Sequence, residues 1–302
     1  MLEKINSFWK ENPILRKLAR NFGYLFSSNM ISAGLSMLQG IFSARLLGVA
    51  GFGTLGTITI FVTVINKITS FRMGELVIKY VGEFNENNDQ PRAAAVFKAA
   101  ALAELSASLF AFGLIWLLAP VGALYFAKNS SLAPWFIVYG GIILANLITE
   151  SSTGLLQLFD RFRRMAGLNV LQSVVTLALI ILACWQKTGL PGVLVAYLCG
   201  KVISAVGLTL AAQVEASRHW GRDWWRSSLS LLRPHMRDLV KFAVSTNLSG
   251  SLSLISRDSG ILWVSYFSSP TQAGYYKLAM ALANYIQLPI APMPQATYPE
   301  MS

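Results

Sequence analysis

Charged side chains are scarce in this 302-residue chain, making up 13% of it, about half the ~25% share of an ordinary soluble domain. A water-soluble globule is excluded on that ground. Cysteine is scarcer still: Cys184 and Cys199 both stand inside apolar runs, which leaves no disulfide framework and no spacing that would hold a metal. Only two histidines occur, His219 and His235, in one basic polar stretch with no carboxylate-and-nucleophile grouping beside them, so neither a hydrolytic triad nor a metal-hydrolase centre is indicated. No catalytic residue, metal ligand or cofactor is expected, and the chain does not read as an enzyme. Nucleic acid is not an expected partner, because the basic residues flank apolar runs instead of forming a folded basic face.

What the chain does have is hydrophobic length. Apolar residues make up 54% of it, and a bilayer core about 30 Å thick needs roughly 20 of them in a helix. Eight such runs are predicted, at about 21–44, 53–71, 93–119, 134–158, 165–186, 191–214, 241–266 and 273–298. They lack the two-residue alternation of barrel strands, so helices are the natural form. The predicted fold class is an all-α polytopic membrane protein. The basic first twenty residues precede a run too long for a signal-peptide core, which therefore stays as the first span.

Of the 25 Lys and Arg residues, eighteen fall on the cytoplasmic side when the amino terminus is placed there. Only Arg45, Lys128 and Lys187 fall outside, and Lys67, Lys201, Arg257 and Lys277 lie within spans. That asymmetry predicts a cytoplasmic amino terminus. The expected organisation is a basic tail over 1–20, a six-helix bundle over 21–214, a cytoplasmic amphipathic linker over 215–240, and the first two helices of a second bundle over 241–302. In the linker Arg218, Arg222 and Arg226 recur every four residues, and Trp220 and Trp224 recur at the same interval offset by two. An in-plane helix in the headgroup layer is the expectation there, with an irregular basic loop as the alternative. A faint repeat supports the division. SSNMISAGLSMLQG in the first span resembles STNLSGSLSLISRD in the seventh, and each is followed by a Gly-aromatic turn, at Gly53 and at Gly274. If the second half copies the first, the chain is a fragment that stops after two of its spans.

Three stretches, SNMISAGLSMLQGIFSARLLGVAGFGTLG, LLQLFDRFRRMAGLNVLQSVV and RDSGILWVSYFSSPTQAGYYKLAMALANYIQLPIAPM, resemble the polysaccharide-biosynthesis flippases of bacteria. These are the O-antigen (Wzx-type) transporters of the multidrug/oligosaccharidyl-lipid/polysaccharide exporter superfamily. The resemblance implies two bundles facing a central cavity. It also implies movement of an undecaprenyl-diphosphate-linked oligosaccharide, an O-antigen or exopolysaccharide repeat unit, across the bacterial inner membrane. Implied partners are that lipid-linked substrate, membrane lipids, and glycan polymerase and chain-length proteins of lipopolysaccharide assembly. Arg45 is carried over as a family motif position, with an interface anchor as the alternative.

A diphosphate cargo needs fixed positive charge at lipid depth, where a lysine or arginine costs roughly 2.5 to 3.5 kcal/mol. Substrate-binding candidates are Arg45, Lys67, Lys201, Arg257 and Lys277. Lys201 lies about 15 Å into the sixth span, while Arg257 and Lys277 fall at similar levels towards the outer side. Lys67 also fits a side chain snorkelling to the cytoplasmic interface. Glu104, Glu150 and Asp258 are ion-coupling candidates, or counter-charges to those cations. The small polar residues of the first and seventh spans suit a wet lumen or interhelical hydrogen bonds. Pro289, Pro292 and Pro294 should kink the eighth span. Two other functions stay open: a drug or small-cation antiporter of the same superfamily, which an acidic lumen would favour, and a membrane glycan polymerase or ligase, which would need a sizeable catalytic loop.

Overall fold

The computed structural model describes residues 13–245 and 259–287. Among these residues all regular structure is helical. The stretch Pro13–Thr69 is two helices, α1 (13–47) and α2 (49–69), broken at Gly48, whose φ of 67° and ψ of 175° leave the helical region. A positive φ of that kind is readily adopted by glycine alone. A short helix α3 (73–86) follows, with a π turn at Val77–Val81. Then come α4 (Gln90–Val121), α5 (Ala133–Ala145), α6 (Thr149–Leu158), α7 (Phe162–Gln186) and α8 (Gly189–Trp220). Beyond the linker lie α9 (236–245), α10 (Gly260–Phe267) and α11 (Pro270–Gln287).

Two apolar clusters fix the direction of each helix. One gathers Leu25, Val77, Phe97, Leu155, Phe162, Ala216 and Leu232. The other gathers Phe52, Phe61, Ile115, Phe136, Ile180, Leu194 and Ile261. Helices α1, α4 and α7 run from the first cluster to the second, and α8 runs back from the second to the first. The first cluster carries the arginine-rich loops and is called the basic end; the second is the far end. Five stretches, Arg20–Thr69, Gln90–Phe126, Ser130–Leu158, Phe162–Gln186 and Gly189–Trp220, are each long and apolar enough to cross a membrane. As the first holds both α1 and α2, they supply the six predicted spans of the first bundle. Large side chains such as Trp116, Leu117 and Trp185 are exposed along them, as expected where the solvent is lipid.

The structure departs from the sequence reading in three places. The predicted fourth span is two half-helices, interrupted at 146–148 between Ala145 and Thr149. Helix α3 was not anticipated; its inner face is buried because Gly74 meets the backbone of Gly154 on α6, where a β-carbon on Gly154 would sit 2.5 Å from the Gly74 carbonyl oxygen. The linker is not a single in-plane helix. Helix α8 stops at Gly221 with φ 85°, and short 3-10 turns follow at Trp224–Arg226 and Leu229–His235. The indoles are the physical reason: Trp220 and Trp224 turn inward onto Phe97, at centroid distances of 6.0 and 5.3 Å. Packing those two rings against α4 takes them from the face that an in-plane helix would present to the headgroup layer.

Candidate functional site

Helices α1, α6, α7 and α8 enclose a polar cavity of about 240 Å³ within the first bundle. Its polar lining is Ser28, Asn29, Thr153, Asn169 and Ser204. The Asn169 amide donates to Ser28 Oγ at 3.1 Å and to Asn29 Oδ1 at 3.2 Å. The rest of the α1–α7 seam is a ladder of interhelical hydrogen bonds. Asn21 donates to Asp160 at 3.0 Å, Ser32 to the Asn169 carbonyl at 3.4 Å, and Gln39 to the Ser173 carbonyl at 2.9 Å. The small polar residues of the first span thus divide between helix pairing and cavity lining, the two uses their chemistry allows.

Lys201 stands on α8 about 18 Å from its first residue. It is exposed, and the question is to what. At 100° per residue it lies about 180° around the helix from Leu210 and roughly 120–140° from Val195 and Val206. Those three are 55%, 43% and 47% exposed and form the outward apolar face. Ser204 and Leu208, by contrast, are within about 60° of Lys201 and line the cavity. Lys201 therefore opens inward, one turn farther from the basic end than the cavity. Among the described residues no carboxylate forms an ion pair with it.

Lys277 lies elsewhere, at the far end, half-buried where α11 crosses α2. Its Nζ stands 4.3 Å over the Phe52 ring, and its stem covers Gly56. Arg45 is exposed in the last turn of α1, a favourable end of the helix dipole for a cation. Lys67 occupies the last turn of α2, half-buried and engaged with a neighbour. The structure thus separates Lys201 from Lys277, Arg45 and Lys67. Arg257 and Asp258, with Pro289, Pro292 and Pro294, lie outside the described residues.

Glu104 has a definite use. It is 5% exposed, and its two oxygens accept from the backbone N–H of Glu150 at 2.7 Å and of Ser151 at 2.9 Å, and from Ser151 Oγ at 2.7 Å. The carboxylate caps the amino terminus of the half-helix α6, whose first N–H groups have no partner in their own helix. It neutralises a helix end, where the sequence offered ion coupling or a counter-charge to the intramembrane cations. Glu150 is exposed on the first turn of α6, within electrostatic reach of Arg72 and Glu75.

Sequence reasoning overlooked Glu215. Fully buried at the basic end of α8, it pairs with Arg161 at 2.8 Å, Arg164 at 2.6 Å and Arg218 at 3.4 Å. The adjacent His219 stacks on Phe159, centroids 3.9 Å apart. The signal was a lone carboxylate at the end of an apolar run with Arg218 three positions after it; its main partners are some fifty positions distant in the chain.

A family model described as polysaccharide biosynthesis protein matches residues 18–302. The inner membrane protein YghQ of Escherichia coli (strain K12) is 22% identical over 294 residues, covering 97% of this chain and 82% of that protein. Among solved structures, a MOP superfamily transporter from Pyrococcus furiosus Vc1 (DSM3638), described as having a binding pocket of reverse polarity, aligns with a TM-score of 0.69 at 16% identity. A multidrug resistance MATE family transporter of the same superfamily, in an outward-facing conformation, aligns at 0.65 and 17%. Each alignment covers 95% of this chain and 65% of the solved chain, so the sequence spans just under two thirds of their length. With five stretches long and apolar enough to cross a membrane among the described residues, the MOP transporter fold and a family match over nearly its whole length, the chain belongs to the polysaccharide biosynthesis protein family.

Proposed function

We propose that the protein moves an undecaprenyl-diphosphate-linked oligosaccharide across the bacterial inner membrane by alternating access, its amino terminus in the cytoplasm. Lys201 carries this reading: a lysine at membrane depth, turned from the lipid-facing side of α8 towards a polar cavity and unpaired with any described carboxylate. An unpaired cation there is expensive unless an anion meets it, and a diphosphate is such an anion. The asymmetry of Lys and Arg supports the orientation. The engagement of Glu104 as a helix cap counts against a proton- or drug-binding acidic lumen. Glycan polymerase and chain-length proteins are the proposed partners.

The test replaces Lys201 in the full-length gene, expressed in a strain lacking its own copy. Lys201→Ala should make lipid-linked repeat units accumulate on the cytoplasmic face and cut surface glycan by tenfold or more, about 1.4 kcal/mol of lost anion binding. Lys201→Arg should restore much of the display. Normal display by a folded, membrane-inserted Lys201→Ala protein would overturn the proposal.

A further inference from the structure

A second and larger opening, about 390 Å³, lies at the basic end between α3 and the start of α9. Its volume falls in the range of small-molecule pockets, about 300–1,000 Å³, and it belongs to neither the Asn169 cavity nor the α1–α7 seam. Charges of both signs face into it: Lys79 and Glu83 from α3, Asp238 and Lys241 from α9. Lys79 and Glu83 are four positions apart on one helix, the spacing at which such a pair usually meets. Yet among the described residues none of these four groups forms an ion pair. The Lys79 ammonium instead leans over two rings, 4.7 Å from the Phe242 centroid and 5.3 Å from that of Tyr80. Those rings stand at 88° to each other. His235, on the same wall, has a buried Nδ1 with no hydrogen-bond partner among the described residues. Burial, reinforced by the Asp238 and Glu83 carboxylates, pushes the Tyr80 phenol up, so at neutral pH it carries its proton.

The ligand that fits must supply donors and acceptors close together, carry little net charge and offer apolar C–H surface to the rings. A bare phosphate meets two carboxylates, and a simple cation meets two ammonium groups. A sugar ring meets the whole set: each hydroxyl both donates and accepts, so carboxylates and lysines can be satisfied side by side. We propose that this opening is a carbohydrate-binding vestibule, in which Glu83 and Asp238 accept from sugar hydroxyls while Lys79, Lys241 and His235 complete the hydrogen-bonding set. This deepens the transport proposal by placing the glycan of the cargo beside α3, but binding is measurable without transport.

The test uses the full chain in phosphatidylcholine nanodiscs and saturation-transfer NMR. The probes are trisaccharides built from hexose, N-acetylhexosamine, deoxyhexose and uronic acid, with glycerophosphoethanolamine and inorganic pyrophosphate as competitors. At least one trisaccharide should bind, about tenfold more weakly to Glu83→Gln/Asp238→Asn, because hydrogen bonds to charged groups are the strong ones in such a site. Lys201→Ala should leave that binding intact, which separates failure here from failure of the transport reading. All the substituted vestibule groups are exposed, so folding is preserved; equal melting temperatures verify it. Absence of binding by every trisaccharide, binding indifferent to the double substitution, or displacement by glycerophosphoethanolamine or pyrophosphate would each overturn the proposal.

Discussion

At the scale of single residues, the buried carboxylates divide by what they hold. Glu104 gathers three donors at the start of a half-helix within the membrane, where water is not available to take over. Glu104→Ala strands two backbone N–H groups, and hydrogen bonds to a charged acceptor contribute about 1.5–3 kcal/mol each. It should lower the melting temperature of detergent-solubilised protein by several degrees, while Glu104→Gln, which keeps an acceptor, recovers part of the loss. Glu215 gathers partly exposed arginines, so solvent screening reduces what the pairs contribute. Glu215→Gln should destabilise by about 2 kcal/mol, seen as loosening of the basic end in hydrogen exchange at residues 161–165. The sequence shows that Glu104 is an oddity at lipid depth but hides its partner. The donors are backbone groups created only when another span breaks, and no pattern in side-chain type marks them. The orientation of Lys201 is different: its depth was legible in the sequence, but its direction needed the exposed faces of Val195, Val206 and Leu210, since one apolar helix face looks much like another until its neighbours are placed.

At the scale of elements, hydrophobic length located the rods well and their interruptions poorly. Six spans emerged because twenty apolar residues between charges leave little choice in a bilayer. The break at 146–148 escaped because Asn146 and Thr149 are too few to interrupt a hydropathy reading, and the interruption is stabilised from α4. Helix α3 escaped because it is mostly apolar yet short, and its burial depends on Gly74 meeting Gly154. The linker misled in a third way, since its regular Arg and Trp spacing is real but Gly221 ends the helix before the repeat is complete. Gly154→Ala tests the α3–α6 crossing. Its new methyl group would sit 2.5 Å from a backbone oxygen, and overpacking of that kind costs about 1–3 kcal/mol. Thermal unfolding should register it, whereas Gly141→Ala, which meets nothing within 4 Å, should leave stability unchanged.

At the scale of the whole molecule, α10 and α11 are held to the first bundle at the far end by backbone-close packing. A β-carbon on Gly53 would lie 1.8 Å from the Pro270 carbonyl oxygen, and one on Gly274 would lie 2.3 Å from that of Val49. Nearby, the Thr57 hydroxyl is 3.1 Å from Ser265 Oγ, which donates to the Phe126 carbonyl at 2.6 Å, and Lys128 donates to the Tyr266 carbonyl at 2.9 Å. In a background with Cys184→Ser and Cys199→Ser, a Thr57→Cys/Ser265→Cys pair should oxidise readily. Adding Gly53→Ala should reduce the cross-linked fraction severalfold, because the two turns can no longer close on each other; an unchanged yield would show that they are not in contact in the membrane.

The shift in numbering that carries Gly53 onto Gly274 also carries Val49 onto Pro270, and these four residues meet crosswise. Each element of the seam sets one glycine against a backbone carbonyl of the other. In each element the glycine and the carbonyl stand four positions, about one helical turn, apart, so a side chain added at either glycine prises both contacts apart together.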